Sequence, residues 1–236
     1  MAQLDWWPVD KLILAYFAAA AALEIAWWRQ LPDAGLLVGL HVAASLLVLV
    51  AMRFPGSRAS QVFRFWYPLP YVAACYKEMS LLIPVVRGRD YDPLMARLDL
   101  AVWGAHPSVW LERWRSPLLA EVVQMVYAGF VPVVLLVAWV LWRRRRQAEF
   151  RFYAFLIALG FLASYIGYLA VPVRGPRFLL RDLYTHELRG LWLFDWLRGT
   201  LDVIESAHYD CFPSGHTELI ILAWFGSRRI SALWFR

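Results

Sequence analysis

Lysine is almost missing from this 236-residue chain, where Lys11 and Lys77 stand against 22 arginines. No Lys/Arg-rich tail and no nucleic-acid module is present, so nucleic acid is excluded as a partner and the net charge of +6 points to anionic lipid headgroups. Cysteine is scarce too. Cys75 and Cys211 give no disulfide framework and fix no redox compartment. Internal repeats and low-complexity linkers are absent, which leaves a single domain over 1–236. Asp5 and Asp10 precede the first apolar run, and no small-residue cleavage site follows it; the run therefore reads as a retained span, not as a signal peptide.

What is present is apolar. Hydrophobic residues make up 61% of the chain, above the roughly 45–50% of soluble domains. They fall into runs of about 17–25 residues, the length that crosses a bilayer core. The expected architecture is an all-α polytopic membrane bundle, with full spans near 11–28, 34–53, 65–86, 117–142 and 150–172 and a short sixth helix from about 214. Trp6, Trp7, Trp27, Trp28, Trp66, Tyr67 and Trp142 mark span ends, as interfacial aromatics do. Residues 92–116 mix Leu94, Leu98, Val102 and Trp110 with Arg97, Asp99, Glu112 and Arg113. That pattern predicts an interfacial amphipathic segment broken at Gly104 and Pro107, with a solvated loop as the alternative.

Orientation follows from Arg143, Arg144, Arg145 and Arg146, a four-arginine loop of cytoplasmic type. Residues 53–64 then face the same side, and 87–116 and 173–213 face outward. Arg87, Arg89, Arg174 and Arg177 run against the rule, offset by Asp90, Asp92, Asp99, Asp182 and Glu187. The implied location is a bacterial inner membrane with the motif below on its periplasmic face. From Ser214 to Arg228 the sixth helix covers only about 21 Å, so its start should lie beneath the surface, in a polar pocket.

Residues 211–217 read Cys-Phe-Pro-Ser-Gly-His-Thr. A serine and a glycine at a helix N-terminus offer a hydroxyl and backbone N–H groups to an anion, and the macrodipole favours negative charge there. The following His216 is placed to protonate an oxygen leaving that anion. Upstream, Val171 to Phe178 carry Arg174 and Arg177 around a Gly-Pro turn at the same membrane face. Two guanidinium groups there suit the non-bridging oxygens of a phosphate. The alternative for them is snorkelling to headgroups.

These strings resemble the type 2 phosphatidic acid phosphatase superfamily, and within it the inositol phosphorylceramide synthase-like (inositolphosphotransferase) branch. The likeness covers about 63–226, through Tyr67-Pro68, Tyr76-Lys77-Glu78, Asp99, Gly104, Pro107 and Trp110 to Arg113. It implies that Arg174, Arg177, Ser214 and the Gly215 N–H bind phosphate, and that His216 is the acid for the leaving alkoxide. It also implies a third motif with a nucleophilic histidine. His216 is the last histidine, and Trp234 stands where that nucleophile would follow Ser227-Arg228. The expectation is thus a lipid phosphatase or phosphotransferase of phosphohistidine type, truncated before its last helix and inactive as this chain. A degenerate member, non-catalytic and phospholipid-binding, is the alternative; a transporter lacks the paired broken helices it would need.

No cofactor and no metal is expected, because His208, Cys211 and His216 match no zinc spacing. His186 and His208 read as loop residues, with His208 the one possible surrogate nucleophile. Of the charges inside spans, Glu24 is expected to reach the interface, and His41 to be a satisfied interior histidine. Lys77 and Glu78, about 100° apart on one helix, should face different surroundings. Glu121 and Tyr127 line the bundle without an assigned role.

Overall fold

A computed structural model of the chain describes residues 4–205 and 209–231. The described residues form an all-α bundle. Their one β feature is an isolated parallel bridge between Val173 and Asp210.

Helix starts and stops follow local chemistry. Helix α1 (Pro8–Ala26) opens on a proline, and Asp10 accepts the Trp7 backbone N–H at 3.0 Å, closing one of the orphan donors of a first turn. Helix α2 (Ala34–Arg53) begins after Asp33, and α3 (Arg58–Trp66) gives way at Tyr67 to α4 (Pro68–Arg87). Gly88 and Gly104, both left-handed at φ 62° and 69°, end α4 and α5 (Asp92–Trp103), the conformation that spares glycine a Cβ clash. Helix α6 (Pro107–Leu111) runs into a 3-10 turn. Ser116 then caps α7 (Pro117–Ala128) by accepting the Leu119 N–H. Gly129 separates α7 from α8 (Phe130–Arg143). Then come α9 (Gln147–Ala170), the short α10 (Pro176–Leu179), α11 (Phe194–Glu205) and α12 (Gly215–Ser231).

Four segments are long and apolar enough to cross a membrane: 34–53, 68–87, 117–143 and 147–170. Each overlaps a predicted span. The chain is an integral membrane helix bundle. Helix α1 is nearly as long, but Asp10, Lys11 and Glu24 set it apart from the four. Helix α2 turns Leu36, Leu40, Leu46, Leu47 and Val50 outward, a lipid-facing stripe for a helix that buries only its other side. Helix α12, at 17 residues, is about 26 Å long, short of a full crossing as the sequence implied.

Helix α9 is the central post. It contacts α1, α3, α4, α8 and α12, and its buried residues run from Phe150 to Tyr168. Small residues let its neighbours close in. A Cβ at Gly160 would stand 2.6 Å from Leu222 of α12, and one at Gly226 would stand 2.5 Å from the Tyr153 ring. This is how membrane helices gain packing where lipid offers no hydrophobic drive.

One expectation is corrected. Glu24 does not reach the interface: it is fully buried, because α2 and α4 cover the end of α1 from which it projects. Arg64, within the stretch 53–64, is 2% exposed, drawn inward by Asp5 and Asp10. Helices α10 and α11 form within the outward stretch 173–213. Residues 92–116 do form short helices broken where expected. Leu94, Leu98, Val102, Trp103, Trp110 and Trp114 stay exposed, and the Arg113 guanidinium lies 3.9 Å from the centre of the Trp110 ring.

Candidate functional site

The Pro-Ser-Gly-His string and the arginine turn meet in one structure. Cys211 donates its N–H to the Val173 carbonyl at 3.0 Å, beside the Val173–Asp210 bridge. The two strands of loop therefore run side by side. Asp92, 6% exposed at the start of α5, accepts the Arg174 N–H at 2.9 Å and the Gly175 N–H at 2.7 Å. Its carboxylate does for this turn what a caps residue does for a helix: it satisfies two backbone donors that no regular element would pair. Tyr91 adds a third tie, its N–H to the Pro172 carbonyl at 2.8 Å. Gly175 holds φ at 102°, and a Cβ there would stand 3.0 Å from the Cys211 sulfur. Only glycine suits both the conformation and the approach.

Helix α9 supports the motif from below. A Cβ on Gly167 would lie 2.5 Å from the Pro213 ring, and one on Gly215 would lie 2.5 Å from the Tyr168 hydroxyl. Phe212–Pro213 is a cis peptide. Tyr76 of α4 donates its hydroxyl to Asp210. Ser214 is the cap of α12: its Oγ accepts the Thr217 N–H at 3.3 Å and lies 2.9 Å from the Thr217 hydroxyl.

Ser214 also borders a groove of about 390 Å³, lined further by Thr217, Glu218, Ile221 and Leu222. These positions recur at three and four residues and form one face of α12. His216 sits about 200° around the helix from Ser214 and is not among the lining residues. Its ring stacks on Tyr127 at 4.4 Å and lies 4.3 Å from Phe130. The break at Gly129 puts those two aromatics at the junction of α7 and α8. Glu218 faces α9, where it accepts the Ser164 hydroxyl at 2.6 Å.

The two arginines share a ring. The guanidinium carbons of Arg174 and Arg177 lie 4.6 and 4.8 Å from the centre of Phe178. Arg177 is half exposed and pairs with Asp202 of α11 at 3.1 Å. Arg174 is more enclosed, and its Nε has no hydrogen-bond partner among the described residues. Thus the fold joins the arginine turn to the motif backbone, and sends His216 into an aromatic slot away from the Ser214 groove. His208, the surrogate considered from sequence, lies outside the described residues, as do residues 232–236.

Several contributors were not assigned from sequence. In the sequence Asp92 reads only as a counter-charge, though an Asp-Pro pair at a helix start is a visible signal. Glu121 shows no role there. Its carboxylate, 4% exposed, accepts backbone N–H groups from Leu191, Trp192, Leu193 and Phe194 at 2.7–3.3 Å. It thereby ties the start of α11 to α7. Glu112 acts alike toward Thr185 and His186, at 2.8–3.3 Å. Burial opposes its charge, but the hydrogen bonds from Thr185 and His186 outweigh that and hold the carboxyl below its usual range. None of these long-range partners is legible from spacing.

Comparison with known proteins gives one family. The sequence pattern of the PAP2 superfamily matches residues 95–235. The matched stretch takes in both the arginine turn and the Pro-Ser-Gly-His string, and leaves α1 to α4 outside. No curated protein and no solved structure matches the chain.

Proposed function

The chain belongs to the PAP2 superfamily of phosphatase-type proteins acting on lipids, and from that premise we propose that it engages the headgroup phosphate of a membrane lipid at the junction of the arginine turn and the α12 N-terminus. The observation that carries this reading is the backbone link between the two strings: the Cys211 N–H bonds the Val173 carbonyl beside the Val173–Asp210 bridge, while the Asp92 carboxylate fixes the turn on which Arg174 and Arg177 sit. In this reading the Ser214 hydroxyl, the Gly215 N–H and the two guanidinium groups bind the non-bridging oxygens, where preorganised donors count most as charge builds. His216 leaves its aromatic slot to protonate the departing alkoxide oxygen. The phosphoryl group itself needs a nucleophile, and the described residues supply none in histidine form other than His216, His186, His106 and His41. That nucleophile is left unassigned among the described residues. The inositolphosphotransferase-like branch, a periplasmic site in a bacterial inner membrane and a phosphohistidine intermediate are parts of the same proposal.

A second reading has its own support. His216 packed between Tyr127 and Phe130 is a structural histidine in a phospholipid-binding protein that performs no chemistry. One experiment separates the two. Purified protein in vesicles containing phosphatidate is assayed for released phosphate and for headgroup exchange, and in parallel for lipid binding. In the first reading phosphate is released, and His216→Ala should abolish release while folded yield is unchanged; lipid binding by wild-type protein with no release would favour the second. Arg177→Lys should weaken lipid binding several-fold, about 1 kcal/mol, since a forked contact becomes a point charge. Unchanged binding would reduce Arg177 to the partner of Asp202.

A further inference from the structure

The N-terminal helices, outside the stretch matched by the family, bring three ionisable side chains together in the dry interior. Glu24 comes from α1, His41 from α2 and Glu78 from α4. Their residues are 0%, 7% and 6% exposed. His41 Nε2 lies 3.4 Å from Glu24 Oε1 and 3.1 Å from Glu78 Oε2, and one ligand atom from each of the three lies within 4.8 Å of the others.

Ion pairing alone does not account for this arrangement. A single imidazole nitrogen faces two carboxylates, and it has at most one proton to give. Among the described residues His41 Nε2, both oxygens of Glu24 and Glu78 Oε1 make no hydrogen bond. Four polar atoms in one buried cluster are left without a hydrogen bond among the described residues. At membrane depth such groups are costly unless something pairs them. With both carboxylates ionised and the imidazole neutral, two negative charges would stand uncompensated there. Lys77, the adjacent cation on α4, is exposed and points away.

We propose that Glu24, His41 and Glu78 form a binding site for one divalent transition-metal ion, of the Zn²⁺ or Mn²⁺ class. Three considerations select that ligand. A dication cancels the charge of the two carboxylates. A mixed set of one imidazole nitrogen and two carboxylate oxygens suits Zn²⁺ or Mn²⁺ better than the all-oxygen shells of Ca²⁺ and Mg²⁺. Two of the three spacings also match: bonds of about 2.0–2.1 Å in a tetrahedron put neighbouring ligand atoms about 3.3 Å apart, and His41 Nε2 stands 3.1 and 3.4 Å from the two carboxylates, with all three ligand atoms within 4.8 Å of one another. Three protein ligands leave a position open, and the buried Tyr16 hydroxyl, with no hydrogen-bond partner among the described residues, belongs to the same aromatic surround as Phe17, whose ring centre is 4.9 Å from that of His41. The ion would pin α1, α2 and α4 to one another. Glu24 lies two residues before the end of α1, His41 seven residues into α2 and Glu78 nine residues before the end of α4. Glu24 and His41 are thus nearer the bundle end that carries the arginine turn, and Glu78 is midway along its helix.

The test uses the full chain in detergent, with any affinity tag removed. The protein is stripped with chelator, dialysed against Zn²⁺ or Mn²⁺, separated from free ion and analysed for metal. We expect about one ion retained per chain and a rise in the thermal unfolding midpoint on loading, as for any ligand of the folded state. Glu24→Gln and Glu78→Gln keep the shape and should each lower affinity by about tenfold or more. His41→Ala should abolish retention. Folded, monodisperse wild-type protein that retains neither ion would overturn the site, a result that needs no variant to fold. So would variants that hold as much metal as the wild type.

Discussion

Two buried carboxylates on α1 invite comparison. Asp10 and Glu24 are both fully excluded from solvent, and 14 residues of helix put them about 21 Å apart. Both Asp10 oxygens are paired. Asp10 accepts Arg64 at 2.6 Å, the Tyr67 hydroxyl at 2.7 Å and the Trp7 N–H at 3.0 Å. Arg64 in turn reaches Asp5 and lies 4.1 Å from the centre of the Trp7 ring. Glu24 has His41 nearby and no hydrogen bond among the described residues. A buried carboxylate with donors on both oxygens is a latch between helices. One whose oxygens find no donor suits a receptor for something else. The same helix therefore carries a structural cluster at one end and a binding cluster at the other.

The largest effect expected from this contrast is at Arg64. Arg64→Ala leaves Asp10 buried without its cation, and breaking a buried pair from one side costs about 3–5 kcal/mol. Thermal unfolding in detergent should drop sharply, or folded yield should collapse. A variant as stable as the wild type would mean that the latch holds nothing.

A smaller and more pointed effect compares the two ends directly. Asp10→Asn weakens three charge-assisted contacts and should destabilise by about 2 kcal/mol. Glu24→Gln in chelator-stripped protein removes an uncompensated charge and should leave stability unchanged or raised. If the two amide variants behaved alike, the distinction between latch and receptor would fail.

How much of this was legible in the sequence differs from element to element. The apolar run 34–53 emerged as a helix with those bounds, and 150–172 as one with ends shifted by two or three residues, since length and hydropathy alone specify a span. Gly104 and Pro107 broke the 92–116 segment where their backbone preferences require. The arginine turn and the Pro-Ser-Gly-His string were visible as separate strings. Their joining through Val173 and Cys211, and the bracing of the turn by Asp92, 82 residues away from Arg174, were not, because nothing in one sequence records which segment folds back onto which turn. His216 facing Tyr127 and Phe130, away from the Ser214 groove, depends on the helix break at Gly129. Glu24 was misjudged for a related reason. Its place near a span end suggests the interface, yet burial is decided by which helices pack over that end, and periodicity does not carry that information.

The smallest effect expected is a pH dependence at the latch. Asp5 lies ahead of α1, and the hydrogen bond from Arg64 holds its carboxyl below the usual range, burial opposing. A depressed folded-state pKa contributes stability that is complete above the unfolded value, about 3.9, and is lost as pH falls through the lower folded value. Asp5 is half exposed, so solvent screens the contribution and it stays minor. Acid titration of the unfolding midpoint should therefore show a shallow loss only below about pH 4, and Asp5→Asn should remove that part of the slope without touching metal retention. A variant that lost both would join the two ends of α1 into one coupled network, and the contrast drawn between Asp10 and Glu24 would have to be given up.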